Sequence, residues 1–190
     1  MRPPVSGSNL LKKAVQALLW LLFLWIGVSV VHAFESARTM AHKSTCLNNV
    51  KQILAGTQQY AQDWDECLPS AQQWASLSNV HVGSGAQIGR TSEAVVWHCP
   101  DAVSPYSYAF NSALSGLSYK VLTEPAQTLT IFEANATIWN AAGGKAQVVQ
   151  ESRHPVGPIY GFADGHVKSI RATPEQPYWQ PLLLPDKQKH

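Results

Sequence analysis

The hydrophobic pattern of the chain opens with an unbroken run. From Ala14 to Val31 the sequence reads AVQALLWLLFLWIGVSVV, free of charge and clearly polar only at Gln16 and Ser29. A helix rises about 1.5 Å per residue and the hydrocarbon layer is about 30 Å thick, so a run of this length reaches across a bilayer. We read residues 14–33 as a transmembrane helix anchored by side chains such as Leu18, Leu22, Leu24 and Ile26. Lys12 and Lys13 directly before it favour a cytoplasmic segment 1–13, against a weaker pull from Arg38 and Lys43 behind it. The expectation is a single-pass protein of the inner membrane, N-terminus in, with its C-terminal domain periplasmic or extracellular. The competing reading is a cleaved signal peptide, since Val31-His32-Ala33 has the small residues that signal peptidase accepts. The apolar run is longer than a usual signal core and the helical pattern continues past Ala33, which favours the retained anchor.

Behind the run the period changes. Leu47, Val50, Ile53, Leu54, Thr57, Tyr60, Ala61 and Trp64 recur at steps of three and four, while Lys51, Gln52, Gln58, Gln59, Gln62 and Asp63 fill the other face. That spacing predicts an amphipathic continuation of the helix over 34–66. Asp63, Asp65 and Glu66 are poor partners for a helix C-terminus and predict its end there. Glu35 to Thr45 is mostly polar with small Ala37 and Ala41, a stretch suited to water or to a neighbouring copy.

Beyond Pro69 the elements shorten. QQWASL predicts a brief helix, EAVVWHCP a short strand ended by proline, and TLTIFEAN a buried strand. NVHVGSGAQIGRT and AAGGKAQ read as loops, the first missing the glycine spacing of a dinucleotide site. SPYSYAFNSALSG reads as a turn-rich bridge, and TPEQPYWQPLLLPDKQKH as a Pro-rich tail, 173–190, along the surface. The fold class is α+β: a long helix with a small antiparallel sheet of residues 67–172 laid on its apolar face.

One stretch joins pattern to candidate chemistry: RHPVGPIYGFADGHVKSI, residues 153–170. Asp164-Gly165 between apolar runs is a hairpin signal, and a two-residue type I′ tip would pair Phe162 with Val167 and Tyr160 with Ser169. His154 reads either as a metal ligand or base acting with Asp164 or His166, or as a residue that pins the incoming loop through Glu133 or Asp164. The second reading prevails because Asp164 and His166 lie at the far end of an extended strand of roughly 25 Å. No G-x-S-x-G elbow occurs, and Cys99 directly after His98 alternates away from it, so neither a serine nor a cysteine hydrolase is indicated.

Composition narrows the classes. Of 14 Lys and Arg against 12 Asp and Glu, three of the basic residues, Arg2, Lys12 and Lys13, precede the anchor, which leaves the rest without an excess of positive charge for nucleic acid. Neither a small-molecule substrate nor a cofactor is indicated, and the expectation is no enzyme. Three cysteines allow one disulfide and leave one thiol over. Trp74, Trp97, Trp139 and Trp179 read as core.

His154, nine residues, then Asp164-Gly165-His166-Val167-Lys168 resembles the prepilin-type processing-associated H-X9-DG domain of bacterial pseudopilin-like proteins. Other pieces agree in order between about residues 35 and 171: Cys46-Leu47-Asn48-Asn49-Val50-Lys51-Gln52, Tyr60-Ala61-Gln62-Asp63-Trp64-Asp65, Cys99-Pro100, and Ser107-Tyr108 with Asn111 and Gly116. The resemblance implies a pilin-like fold, a structural rather than enzymatic role in a type II secretion or type IV pilus-like assembly, and the membrane and other pilin-like subunits or copies of itself as partners. It implies a disulfide between Cys46 and Cys99, with Cys67–Cys99 as the alternative pairing. One departure is large. Pilin precursors carry a Glu five residues after the processing-site Gly, and here Gly7 is followed by Ser8, Asn9, Leu10, Leu11 and Lys12. A lysine there would repel the neighbouring N-terminal amine that such a Glu neutralises. The same domain released near Ala33 would instead be a non-assembling periplasmic or surface-exposed binding module.

Overall fold

The computed structural model describes residues 7–82, 96–149, 153–171 and 178–180. The Gly-rich stretch 83–90 and the first part of the predicted strand EAVVWHCP lie outside the described residues. Helix α1 runs from Gly7 to Asp63, 57 residues without a break. The chain divides into two compact units, residues 1–40 and 41–190. In the first, the large apolar side chains of α1 are all exposed, with Leu18, Leu22, Leu24 and Ile26 among them. This is the one helix among the described residues that is long and apolar enough to cross a membrane.

In the second unit, α1 ends at Asp63, and the next turns reverse the chain through left-handed backbone at Asp65 (φ 52°) and Glu66 (φ 61°). The Glu66 N–H closes the helix end on the Ala61 carbonyl at 2.7 Å. Val50, Ile53, Leu54, Thr57 and Ala61 are buried as their spacing requires, but Trp64 is exposed and stacks on Tyr60. The reversal at Asp65 comes too early for the last member of the stripe to stay against the core. A short helix α2, Trp74–Asn79, follows at the predicted place.

Five strands form one sheet: β1 Tyr106–Asn111, β2 Leu129–Ala136, β3 Ala142–Gly143, β4 Ile159–Phe162 and β5 Val167–Ser169, in the order β3-β1-β2-β4-β5. It is mixed rather than wholly antiparallel, because β3 pairs parallel to β1. Two segments differ from the pattern reading. SPYSYAFNSALSG contains β1 instead of a bridge: its Ser and Asn residues find partners inside, Asn111 Nδ2 donating to the Leu129 carbonyl at 2.8 Å. The described residues 96–99 of EAVVWHCP form no strand, and Trp97 offers its carbonyl to the Ser107 N–H instead.

Alternation, broken by a register shift between Leu129 and Ile131, sorts the sheet into two apolar layers. Tyr108, Phe110, Ile131 and Ile159 join Val50, Ile53 and Leu54 of α1, with Trp74 and Trp97. Ala109, Leu129, Phe132, Tyr160 and Phe162 form a second cluster. Each fully buried Leu, Ile or Phe contributes about 1.5 to 3 kcal/mol. The second cluster is covered by Trp179, whose ring meets Phe132 at 4.9 Å between centroids, so this part of the tail is core and not surface. The Tyr178 carbonyl also accepts from the Leu129 N–H at 2.9 Å. Trp179 is thus core as its aromatic bulk suggests, although the four prolines around it remove the periodicity that would place the segment.

Candidate functional site

Four polar side chains converge where α1 faces β2. Cys46 lies one helical turn before Val50, on the same buried face. Glu133 stands two residues after Ile131 and so shares its side of β2, which turns a carboxylate toward the helix. Cys99 is held in its loop by its own N–H, which donates to Ser107 Oγ at 2.8 Å. His154 lies in the segment that leads into β4. All four are buried, at 0% exposure for both cysteines and Glu133 and 2% for His154, and their ligand atoms lie within 4.8 Å of one another.

The contacts form a chain. Cys46 Sγ is 2.7 Å from Cys99 Sγ, Cys99 Sγ is 3.6 Å from His154 Nε2, and that nitrogen is 3.1 Å from Glu133 Oε1. The second carboxylate oxygen, Oε2, accepts from the Ile159 N–H at 2.8 Å, which fixes the orientation of Oε1. On the other side of the ring, His154 Nδ1 faces Asp101 Oδ2 at 3.7 Å, and Asp101 Oδ1 meets His42 Nδ1 at 2.5 Å. The Arg153 guanidinium lies 3.8 Å from Glu133 Oε1 and donates to the Ala134 carbonyl at 2.9 Å and to Asn135 Oδ1. Asn49 Nδ2 donates to the His98 carbonyl at 3.1 Å and so ties the Cys99 loop back to α1.

The electrostatics follow this geometry. The hydrogen bond from Cys46 holds the Cys99 thiol down to about 4, against the opposing effect of burial and with further help from His154. Cys46, which donates that bond and is itself buried, is pushed far up. Burial pulls the His154 imidazole down, but its bonds to Cys99 and Glu133 outweigh burial and raise it to about 9. Both directions favour a thiolate at Cys99 beside a charged imidazole at His154. With all four side chains buried beside one another, such an arrangement suits a bond or a bound ion inside the protein.

The other residues singled out in the sequence lie elsewhere. Asp164, Gly165 and His166 sit at the tip of the β4–β5 hairpin, beyond the far end of β4 from His154. The predicted register is off by one: Gly161 pairs with Val167 and Tyr160 with Lys168, because the loop has three residues, Ala163-Asp164-Gly165, and not two. Gly165 alone takes the left-handed conformation (φ 92°), and the Phe162 N–H donates to the His166 carbonyl across the loop. Asp164 stays out of left-handed space and uses Oδ1 to accept from the His166 N–H at 3.1 Å, an Asx turn. The His166 ring stacks on Phe162 at 4.1 Å. Thus the nine residues of the H-X9-DG spacing are a loop plus β4, with the histidine at one end and the turn at the other. Cys67 lies half-buried with Sγ 3.8 Å from the Asp65 carbonyl; no S–S bond joins the three cysteines here, and Cys46 and Cys99 are the pair whose sulfurs stand close enough to form one.

Sequence reasoning named each of the four site residues but did not assemble them. Glu133 is one of the two partners expected for His154 and is the one it meets, and the resemblance pairs Cys46 with Cys99, but the separations along the chain carry no ligand spacing that would bring the two pairs together. The only local signal was Glu133 itself, a lone carboxylate inside an otherwise apolar strand. Comparison with protein-family profiles, with curated proteins and with solved structures gives no match to this chain.

Proposed function

We propose that the protein is a membrane-anchored, pseudopilin-like structural subunit of a type II secretion or type IV pilus-like assembly. The observation that carries this reading is α1 itself: it continues without interruption through Ala33, its stretch from Ala14 to Val31 free of charge on every face and its last part built into a domain core. A secretory leader has no need to extend into the helix that organises the mature fold. The anchor lies in the inner membrane with the sheet domain on the periplasmic or extracellular side, and the partners are other pilin-like subunits or copies of this chain. The buried character of the Cys46–Cys99–Glu133–His154 cluster supports a non-enzymatic role.

The test is made on the full chain produced in a bacterial host, by sequencing the N-terminus of the mature protein and fractionating the cells. The reading expects a terminus ahead of residue 14, carbonate-resistant membrane association, and crosslinks between cysteines introduced at Ala37 or Ala41 of two copies or of a partner. A mature chain that starts at Phe34 and leaves the membrane would overturn it in favour of a released binding module.

A further inference from the structure

We infer that Cys46, Cys99, Glu133 and His154 are the ligands of a structural divalent cation of the zinc type, held between α1 and the sheet. The inference stands on the cluster alone and does not depend on the assembly role. Two sulfurs, an imidazole and a carboxylate are the donor set that selects a borderline-soft, tetrahedral ion over calcium or magnesium, which take oxygen ligands. Four donors with ligand atoms inside 4.8 Å, all buried, leave no position open to water. That closure is the mark of structural rather than catalytic sites.

The distances agree with a tetrahedron on two edges. With metal–nitrogen and metal–oxygen bonds of about 2.0 to 2.1 Å, the N···O edge is about 3.3 Å; His154 Nε2 and Glu133 Oε1 are 3.1 Å apart. An S···N edge is about 3.5 Å; Cys99 Sγ and His154 Nε2 are 3.6 Å apart. The sulfur pair, at 2.7 Å, must open by about 1 Å to reach the S···S edge. A disulfide would use the same two sulfurs, but it gives no reason for Glu133 Oε1 and His154 Nε2 to be turned on the same point.

The surroundings are those of a held ligand set. Glu133 is oriented by the Ile159 N–H, and Asp101 Oδ2 stands 3.7 Å from the His154 nitrogen that faces away from the cluster, where a small shift on binding would make the carboxylate–histidine contact that fixes a ligating tautomer. Two thiolates and a carboxylate around a divalent ion leave one negative charge, and the Arg153 guanidinium beside Glu133 offsets it. Binding leaves both sulfurs as thiolates and the imidazole neutral, so the proton on Cys46 and the proton on His154 Nε2 go to solvent, with no change of oxidation state.

The experiment uses the full chain in detergent, reduced under anaerobic conditions, loaded with Zn2+ or with Co2+ as a spectroscopic probe and then dialysed. The expected result is close to one equivalent of zinc, and a cobalt spectrum with tetrahedral ligand-field bands and thiolate-to-metal charge transfer. Cys67→Ser should retain both, Cys99→Ser should lose the charge-transfer band in large part, and Asp101→Asn should weaken binding by about 10- to 100-fold. Because Cys99→Ser could unfold the core, the wild-type cobalt spectrum and the Asp101→Asn affinity carry the test independently. The inference is overturned if the reduced chain takes up no ion, if its cobalt is octahedral without thiolate bands, or if the ion survives in folded Cys99→Ser unchanged.

Discussion

Gly161 of β4 lies so close to α1 that a methyl group placed on its Cα would fall 2.5 Å from Leu54 Cδ1 and 2.9 Å from Val50 Cγ1. Helix and sheet therefore touch backbone to side chain at this point, and the contact sets how deep the sheet settles. Gly161→Ala should destabilise the domain by about 1 to 3 kcal/mol through overpacking. Gly144, which has nothing within 4 Å of such a position, supplies the control: Gly144→Ala should stay within about 0.5 kcal/mol. Urea unfolding of both variants measures the difference; equal stabilities would mean that the helix yields freely at Leu54.

The hairpin tip depends on one left-handed residue. Gly165 at φ 92° admits a Cβ only with strain, and Gly165→Ala should cost about 1 to 2 kcal/mol. Asp164→Ala removes the acceptor for the His166 N–H and should cost about 0.5 to 1.5 kcal/mol, with Asp164→Asn largely preserved because its side-chain oxygen makes the same Asx turn. Thermal melts of the three variants give the ranking, and an Asn variant as weak as the Ala one would refute the turn argument.

Glu133 is a fully buried carboxylate between two cationic groups, His154 and Arg153. Glu133→Ala leaves them without their counter-charge and should cost about 3 to 5 kcal/mol. In a double-mutant cycle with His154→Asn, the two losses should fall short of additivity by about 0.5 to 3 kcal/mol, since each change removes the same 3.1 Å contact. Additive losses would show that the two residues act separately.

The segment around Trp179 belongs to the folded domain. Trp179 packs edge-on against Phe132 and Tyr160, so Trp179→Ala should cost about 3 to 5 kcal/mol. A chain truncated after Ala172 should lose at least as much, measured by the midpoint of urea unfolding. If truncation leaves the midpoint unchanged, the second apolar layer closes without its cover.

The elements with a strong period were legible in the sequence: α1 from its apolar run and three-four stripe, α2 from QQWASL, and β2 from TLTIFEAN. What escaped is what depends on partners distant in the chain. Ser and Asn in β1 look like turn formers until Asn111 is seen bonding Leu129 and Trp179. Asp164-Gly165 announces a hairpin correctly, yet whether the loop holds two or three residues is decided by whether Asp164 enters left-handed space, and its side-chain bond to His166 keeps it out. The same limit applied to the buried cluster: Cys46, Cys99, Glu133 and His154 meet only because a helix, a loop, a strand and a second loop are stacked there.

The two rims of the sheet are its shortest members, β3 with two residues and β5 with three. A rim that short offers a neighbouring molecule few unpaired amides, so the sheet is a poor template for lateral growth by strand addition.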